Sequence, residues 1–480
     1  MYTECFILFD ECEKLVQDVH YRDSIREPMN DFFRFQNKAL ISATPIVPEK
    51  DSRFDGFMRV LIQPDYVYRQ KLKLITTNNV LETLQEVIEA KRGTVCIFCN
   101  SIDSIDSFYR LIPELSNACT FCSEDGQYKL WKGNRRKKSM MITELERYNF
   151  FTSRFYSAVD ILCKNPPHVI FVSDLYGAAQ SVIDPATEAI QIIGRFRGGV
   201  NSVTHIASIR PELECMSSSE IDHWIQGAST IFNGWKAQLA RTTNIGERTL
   251  LQEAIGENSY LPYLDENGKP DSFLIANFYE KEQVKRLYTS ADLLHLAYEQ
   301  TGYFVFSHEE RLMPVSDNER MAIQHRLAKK KRAELIVRKL EEMEKMSKAT
   351  DKKIQKRYQR MLMNLITSTA DRYIYDCFCR FGAEFVREAD YNENKLRTAL
   401  NVSSEHTIKK SGQMRTYIQR AFPVGAEISV QEAKSMLRQV YKKMGLNTGR
   451  GITTKELEQY AEIENSRNRE ARMIKILKHK

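Results

Sequence analysis

The chain has 480 residues, is 42% hydrophobic and 28% charged, and carries a formal net charge of +7. That length allows two to four domains, with the apolar content of an ordinary globular protein. No run of about 18 apolar residues occurs, so no membrane span and no membrane partner are expected, and ten cysteines in so long a chain do not suggest a secreted disulfide framework.

Tyr2-Thr3-Glu4-Cys5 lacks the basic start of a secretory signal, so the expected location is the reducing cytoplasm. The mild basic excess permits a nucleic-acid partner without requiring one.

Residues 1–65 read as the end of an α/β domain. Cys5–Phe9 and Ala39–Ser42 are short apolar strands, each running into polar residues: Asp10-Glu11-Cys12-Glu13 after the first, Ser42-Ala43-Thr44-Pro45 at the second. Parallel sheets gather ligands at such carboxyl ends. Gln63-Pro64-Asp65 is a hinge candidate.

Residues 66–210 read as a second α/β domain. Leu81, Leu84, Val87 and Ile88 form one face of a helix over 81–90 that Gly93 ends, and Thr94–Cys99 is the next strand. Asn100-Ser101 then starts a helix, and further strands are expected at Ala118–Phe121, Tyr148–Thr152, His168–Val172 and Thr204–Ile209. Cys96-x-x-Cys99 and Cys119-x-x-Cys122 have zinc-ribbon spacing, but residues three apart on a strand face opposite ways, which favours buried thiols over a metal. The basic stretch Lys129–Lys138 is either a solvated loop or a contact to a nucleic-acid backbone.

Residues 211–318 read as a mostly helical connector, with a turn at Asp265–Pro270. Over 319–366 the spacing of Ala333, Ile336, Leu340 and Met343, and of Ile354, Tyr358, Met361 and Leu365, predicts two long basic helices hinged around Ser347–Asp351. Lys329-Lys330-Lys331-Arg332 in the first is a solvated face or a DNA contact. Residues 367–480 read as a helical module that binds DNA or a partner, with Ser429 capping a helix that Gly445 ends.

Two further motifs complete a series begun by Asp10-Glu11 and Ser42-Ala43-Thr44. They are Thr152-Ser153-Arg154-Phe155-Tyr156-Ser157-Ala158-Val159-Asp160 and Gln191-Ile192-Ile193-Gly194-Arg195-Phe196-Arg197. In this order and spacing the four resemble the second, third, fifth and sixth motifs of superfamily 2 helicases of the DEAD/DEAH type. Replicative or origin-binding helicases of phages and mobile elements look most alike. The resemblance covers residues 4–210 and implies an α/β fold. A partial first and a complete second RecA-like parallel-sheet domain would precede a mostly α-helical C-terminal region.

It also implies roles. Asp10 would hold Mg2+ beside ATP and Glu11 would act as base on the attacking water. Arg195 and Arg197 would stabilise the transferring phosphoryl group. Gln191, Gly194 and Asp160 would face the nucleotide, and Ser42 and Thr44 would couple hydrolysis to movement. Thr152, Ser153, Asn100 and Ser101 would meet nucleic acid, expected to be single-stranded or forked DNA rather than RNA. Two departures stand out: Ala158 replaces the usual glycine, and Gly198 occupies the usual place of the second arginine, which comes one residue early at Arg197. Each motif alone has a plainer reading, as helix-start acids, turn residues or solvated arginines.

No G-x-x-x-x-G-K-[ST] loop occurs in the chain. ATP and Mg2+ are therefore expected only when that loop is supplied, for example by a separate N-terminal helicase half. The other reading is a non-catalytic DNA-binding or replication-accessory protein with a degenerate helicase fold.

Overall fold

Eight strands, every pairing parallel, form the sheet around which the first 321 residues are organised. The computed structural model describes residues 2–480 apart from Tyr21, Val67, 132–136, Thr143, Ala158, Pro314, 324–326, 347–357, Met361, Asn364, Ser368, 447–450 and 468–470. It divides into two compact units, Met1–Met321 and Ala322–Lys480. The expected hinge around Ser347–Asp351 and the centre of the basic stretch 129–138 lie outside the described residues.

The first unit begins with a separate two-stranded parallel sheet. β1 (Phe6–Asp10) pairs in register with β2 (Asn37–Ile41), Asp10 opposite Ile41. Helices α1 (Lys14–Gln17) and α2 (Met29–Phe32) lie between them in sequence. Leu15, Val16, Met29 and Phe32 make a small core with Phe273 and Leu274. The opposite side of this small sheet leaves Phe6, Leu8 and Ile41 exposed.

The large sheet takes β3 (Gln70–Thr77), β4 (Val95–Phe98), β5 (Cys119–Phe121), β6 (Lys137–Ser139), β7 (Tyr148–Phe151), β8 (His168–Ser173), β9 (Ser202–Ser208) and β10 (Phe304–Arg311), in the order β10-β3-β9-β8-β4-β7-β5-β6. Helices α3 (Val80–Glu89), α4 (Ile102–Leu111), α5 (Glu124–Trp131) and α6 (Glu188–Gly194) alternate with the strands. Then come α7 (Ser218–Arg241), α8 (Ile245–Gly256), α9 (Ser272–Leu287), α10 (Ala291–Gln300) and α11 (Asp317–Met321). The central strands are buried on both faces, as a parallel sheet requires. Cys96, Phe98, Val169 and Phe171 point into one core, and Ile97, Cys99, Ile170 and Val172 into the other. Cys96 and Cys99 thus lie on opposite faces, and so do Cys119 and Cys122.

Three strands differ from expectation; one is β6, which lies at the end of the stretch read as a solvated loop or a nucleic-acid contact. β3 was not foreseen, and β10 comes from the stretch read as a mostly helical connector, yet it pairs along its whole length with β3. β10 sits at the sheet edge, where one side of the strand meets water. Only its first three residues, Phe304-Val305-Phe306, are apolar, and its second half carries His308, Glu309, Glu310 and Arg311. The chain after it is fastened back: Asn78 Nδ2 donates to Met313 O (2.7 Å), Asn79 Nδ2 donates to Val315 O (2.7 Å), and Asp317 accepts the Val80 amide (2.6 Å) while pairing with Arg320 (3.0 Å).

In the second unit, α12 (Lys329–Met346), α13 (Arg372–Glu388) and α14 (Glu393–Lys409) precede α15 (Gly412–Ala421) and α16 (Val430–Lys443). Ala333, Ile336 and Leu340 are buried, as their spacing predicts. Three of the four basic residues at 329–332 are ion-paired: Lys329 with Glu393, Lys330 with Asp390, and Arg332 with the buried Asp371. The module read as helical also contains a three-stranded antiparallel sheet: β11 (Glu427–Ser429), β12 (Ala461–Arg467) and β13 (Arg472–His479). Ser429 caps α16 by accepting the Glu432 amide, and Gly445, at φ 69°, supplies the left-handed residue after its end.

Asp317→Ala would leave the Arg320 guanidinium buried without its carboxylate. We predict a loss of roughly 3–5 kcal/mol, read by chemical denaturation; a change under about 1 kcal/mol would show that this tether adds little.

Candidate functional site

Gln191 is the hub. Helix α6 carries it with a buried side chain, and its Nε2 donates to Glu11 Oε2 (3.2 Å), Glu13 Oε1 (3.1 Å) and Thr44 Oγ1 (3.0 Å). Its Oε1 accepts from Arg195 Nη2 (3.1 Å), and Arg195 Nε donates to Gln191 O (3.1 Å). A guanidinium only donates, so it fixes which end of the amide faces the acids. Arg195 Nη2 also lies 3.7 Å from Glu11 Oε1. Residues expected in the second, third and sixth motifs are thereby joined.

Local chemistry explains how the acids arrive there. β1 ends at Asp10, whose Oδ1 accepts the Glu11 amide (2.9 Å). Glu11 has φ 53°, left-handed for a residue with a Cβ, a conformation that costs on the order of 1–3 kcal/mol and persists where surroundings enforce it. The bend it makes starts the turn leading into α1, closed by the Lys14 amide on Glu11 O (3.0 Å). Ser42 Oγ accepts the Thr44 amide (2.9 Å), which shapes the turn after β2.

Glu13 is the residue the sequence reading missed. It is fully buried and its Oε2 has no hydrogen-bond partner among the described residues. Burial pushes its carboxyl up to about 7, the neighbouring Glu11 carboxylate adds to the rise, and the Ser42 hydroxyl opposes it. The available signal was a third acid within four residues of a strand end. Nearby, Gln17 Nε2 donates to Thr187 Oγ1 and to Glu280 Oε1 (both 3.0 Å). Burial raises Glu280 to about 7 and Glu188 to about 8.

The other expected residues are placed elsewhere. Arg197 lies in the turn beyond the end of α6 and pairs with Asp160 (2.9 Å) at an exposed position, so it does not share the partners of Arg195. Gly194 is exposed at the end of α6. Asn100 and Ser153 meet at the carboxyl ends of neighbouring strands β4 and β7, the Ser153 amide donating to Asn100 Oδ1 (3.4 Å). Thr152 is buried with its hydroxyl on Phe121 O (3.4 Å), and Ser101 caps α4 by accepting the Ser104 amide (3.1 Å). These two hydroxyls have folding roles that account for them. Ala158 lies outside the described residues.

Among the described residues no group of three His, Cys, Asp or Glu side chains is arranged to hold a metal. Exposed Asp10 suits a magnesium ion held largely by water and phosphate, the usual manner of that ion, better than a protein cage. No described helix is long and apolar enough to cross a membrane.

No protein-family model matches the chain, and no curated protein matches it. Among solved structures, the C-terminal domain of the DEAD-box protein Dbp5 is similar at 16% identity over 33% of this chain and 82% of that one, with a TM-score of 0.20. A likeness of that size carries no weight for activity.

The buried acids set a pH dependence. Glu13 takes its proton from an ordinary value of 4.5 up to about 7 in the folded chain, so the native state binds more protons than the unfolded one across that window. Glu13's contribution to stability must then fall as pH rises from about 4.5 to about 7, and Glu188, raised to about 8, extends the fall of the whole chain beyond that. We predict that Glu13→Gln, which needs no proton, flattens this fall in melting temperature. An unchanged pH profile in the variant would remove Glu13 as its source.

Proposed function

We propose that this chain is part of an ATP-dependent helicase or translocase of superfamily 2, acting on DNA rather than RNA. In this proposal residues 1–65 and 66–210 belong to two RecA-like domains. The observation that carries the proposal is the Gln191 amide, which joins Glu11, Glu13 and Thr44 across 147 to 180 residues of sequence. Four short motifs in the right order are weak individually; three of them meeting at one side chain is what a nucleotide-responsive joint needs.

The roles follow from the chemistry of the side chains. Bound with ATP, Mg2+ would neutralise charge on the phosphoryl oxygens. Asp10 would orient the ion's water shell, and Glu11 would position the attacking water and accept its proton. Arg195, within 3.7 Å of Glu11, would exchange that carboxylate for a phosphoryl oxygen. Arg197, already paired with Asp160, is the weaker candidate for the same task. Gln191 and Thr44 would transmit the change between the two parts. The phosphate-binding loop would have to be supplied by a segment outside these 480 residues, for example a separate N-terminal helicase half.

One observation favours the second reading, a non-catalytic DNA-binding or replication-accessory protein. Thr152 and Ser101, expected on nucleic acid, spend their hydroxyls on backbone groups.

The 480-residue chain alone is predicted to show no DNA-stimulated ATP hydrolysis. Joined to a segment supplying the loop, it should hydrolyse ATP. Arg195→Ala should then lower the rate by roughly a thousandfold or more, leaving DNA binding intact. Substantial hydrolysis by the chain alone would contradict the first statement. Indifference of every activity to Glu11→Gln and Arg195→Ala would favour the accessory reading.

A further inference from the structure

The cysteines take no part in the site around Gln191, yet two of them are placed for chemistry of their own. All ten are free thiols. Cys96 is the second residue of β4, fully buried, opposite Asn149 of β7 and Val169 of β8. Paired strands on both sides hold it rigidly. Cys163 belongs to the irregular stretch 159–167 that leads into β8. It is half-buried and packs against the core into which Cys96 points. Its neighbours Leu162 and Lys164 are exposed, so water reaches this stretch. The two sulfurs meet: the Cys96 S–H donates to Cys163 Sγ.

This contact divides the pair into two chemical types. The donated hydrogen bond stabilises the Cys163 thiolate and lowers its proton affinity below the ordinary value, with partial burial opposing. Cys96 moves the opposite way, well above the ordinary value, through burial first and the donated bond second. Buried thiols elsewhere follow Cys96: burial is the largest cause that pushes Cys12, Cys122 and Cys377 up to about 11. An inert core thiol is a closed, protonated group. A reactive one has thiolate character, access to solvent and often a second sulfur poised to resolve it. Cys163 has all three.

We infer that Cys163 is an oxidation site, at which a peroxide forms a sulfenic acid that Cys96 converts to a Cys96–Cys163 disulfide. In the first step the Cys163 thiolate attacks one peroxide oxygen. An S–O bond forms, the O–O bond breaks, and the departing hydroxide takes up a proton to become water. In the second step the Cys96 sulfur attacks the Cys163 sulfur. The S–S bond forms, the S–O bond breaks, and the Cys96 proton leaves with the hydroxyl as a second water. With hydrogen peroxide as oxidant, two thiols and one peroxide give one disulfide and two waters, and two electrons pass from the sulfurs to the peroxide. Thiol–disulfide exchange with a dithiol reverses the bridge.

The position gives the bridge a consequence. The Ile161 amide donates to Arg195 O (2.8 Å), and Asp160 pairs with Arg197 (2.9 Å). A covalent tie at Cys163 fixes to a core strand the strip of chain that touches both arginines. In a reducing compartment a disulfide of this kind is transient and redox-sensing. The inference does not use the motor reading and stands or falls separately from it.

The test treats the full chain with one equivalent of hydrogen peroxide, blocks the remaining thiols, and maps peptides by mass spectrometry without reductant. The expected result is the loss of two thiols together and a linked Cys96–Cys163 peptide, reversed by dithiothreitol. In Cys163→Ser the linked peptide should be absent, with Cys5 and Cys379 still free. In Cys96→Ala the sulfenic acid should persist on Cys163 and be trapped by dimedone. That variant removes a buried side chain, so if it fails to fold the wild-type map decides alone. Oxidation of Cys5 or Cys379 ahead of a free Cys163 would overturn the inference. So would a bridge from Cys163 to a different cysteine, or conversion of Cys163 to its sulfinic acid while Cys96 stays free.

Discussion

One side-chain amide holds the N-terminal acids to the large α/β sheet domain. Gln191 Nε2 has two hydrogens and three acceptors within reach, Glu11, Glu13 and Thr44. It cannot satisfy all of them fully at once. Glu13 meets the amide through Oε1 alone; its Oε2 is left unpartnered among the described residues, and burial raises its proton affinity. Arg195 completes the joint by fixing the amide's orientation and bringing positive charge to Glu11. Such a joint is sensitive to whatever competes for Arg195 or neutralises Glu11. That sensitivity is a property a motor can use, and it is also why the N-terminal strands take a defined position.

The small β1–β2 sheet depends on the same joint. One face has a core shared with α9, reinforced by Arg26 on Asp271 and by Asn277 on Val16 O. Its other face leaves Phe6 and Leu8 in water. A parallel sheet normally has both faces covered. What holds this one in place is thus polar as much as apolar: the Gln191 contacts, the Gln17 bridge between Thr187 and Glu280, and the strained backbone of Glu11.

Much of this was legible in the sequence, for physical reasons that also explain the gaps. Strands β4, β7 and β8 are buried on both sides, so most of their residues are apolar and announce themselves. Strands are polar where they meet water, which hid the edge strand β10 behind its His-Glu-Glu-Arg end and hid β12 and the central β13, of a sheet with one exposed side, behind Lys and Glu that stand opposite each other in register. Glu11, Thr44, Gln191 and Arg195, which the structure brings together, could be singled out because motif order is a one-dimensional property. Glu13 was not, because its role is created by a partner 178 residues away and by burial, neither of which a local pattern records. Thr152 and Ser101 illustrate the reverse: a hydroxyl at a strand end reads equally well as a ligand contact or a cap, and here each meets a backbone group.

The most direct measurement is a double-mutant cycle between Glu13→Ala and Gln191→Ala, with stability read by chemical denaturation at a pH near 7. If the amide is the joint, the two changes are strongly non-additive, with a coupling of roughly 1–3 kcal/mol. Additivity within about 0.5 kcal/mol would mean that the acids after β1 and helix α6 are held in place independently, and the account of a shared site would fail.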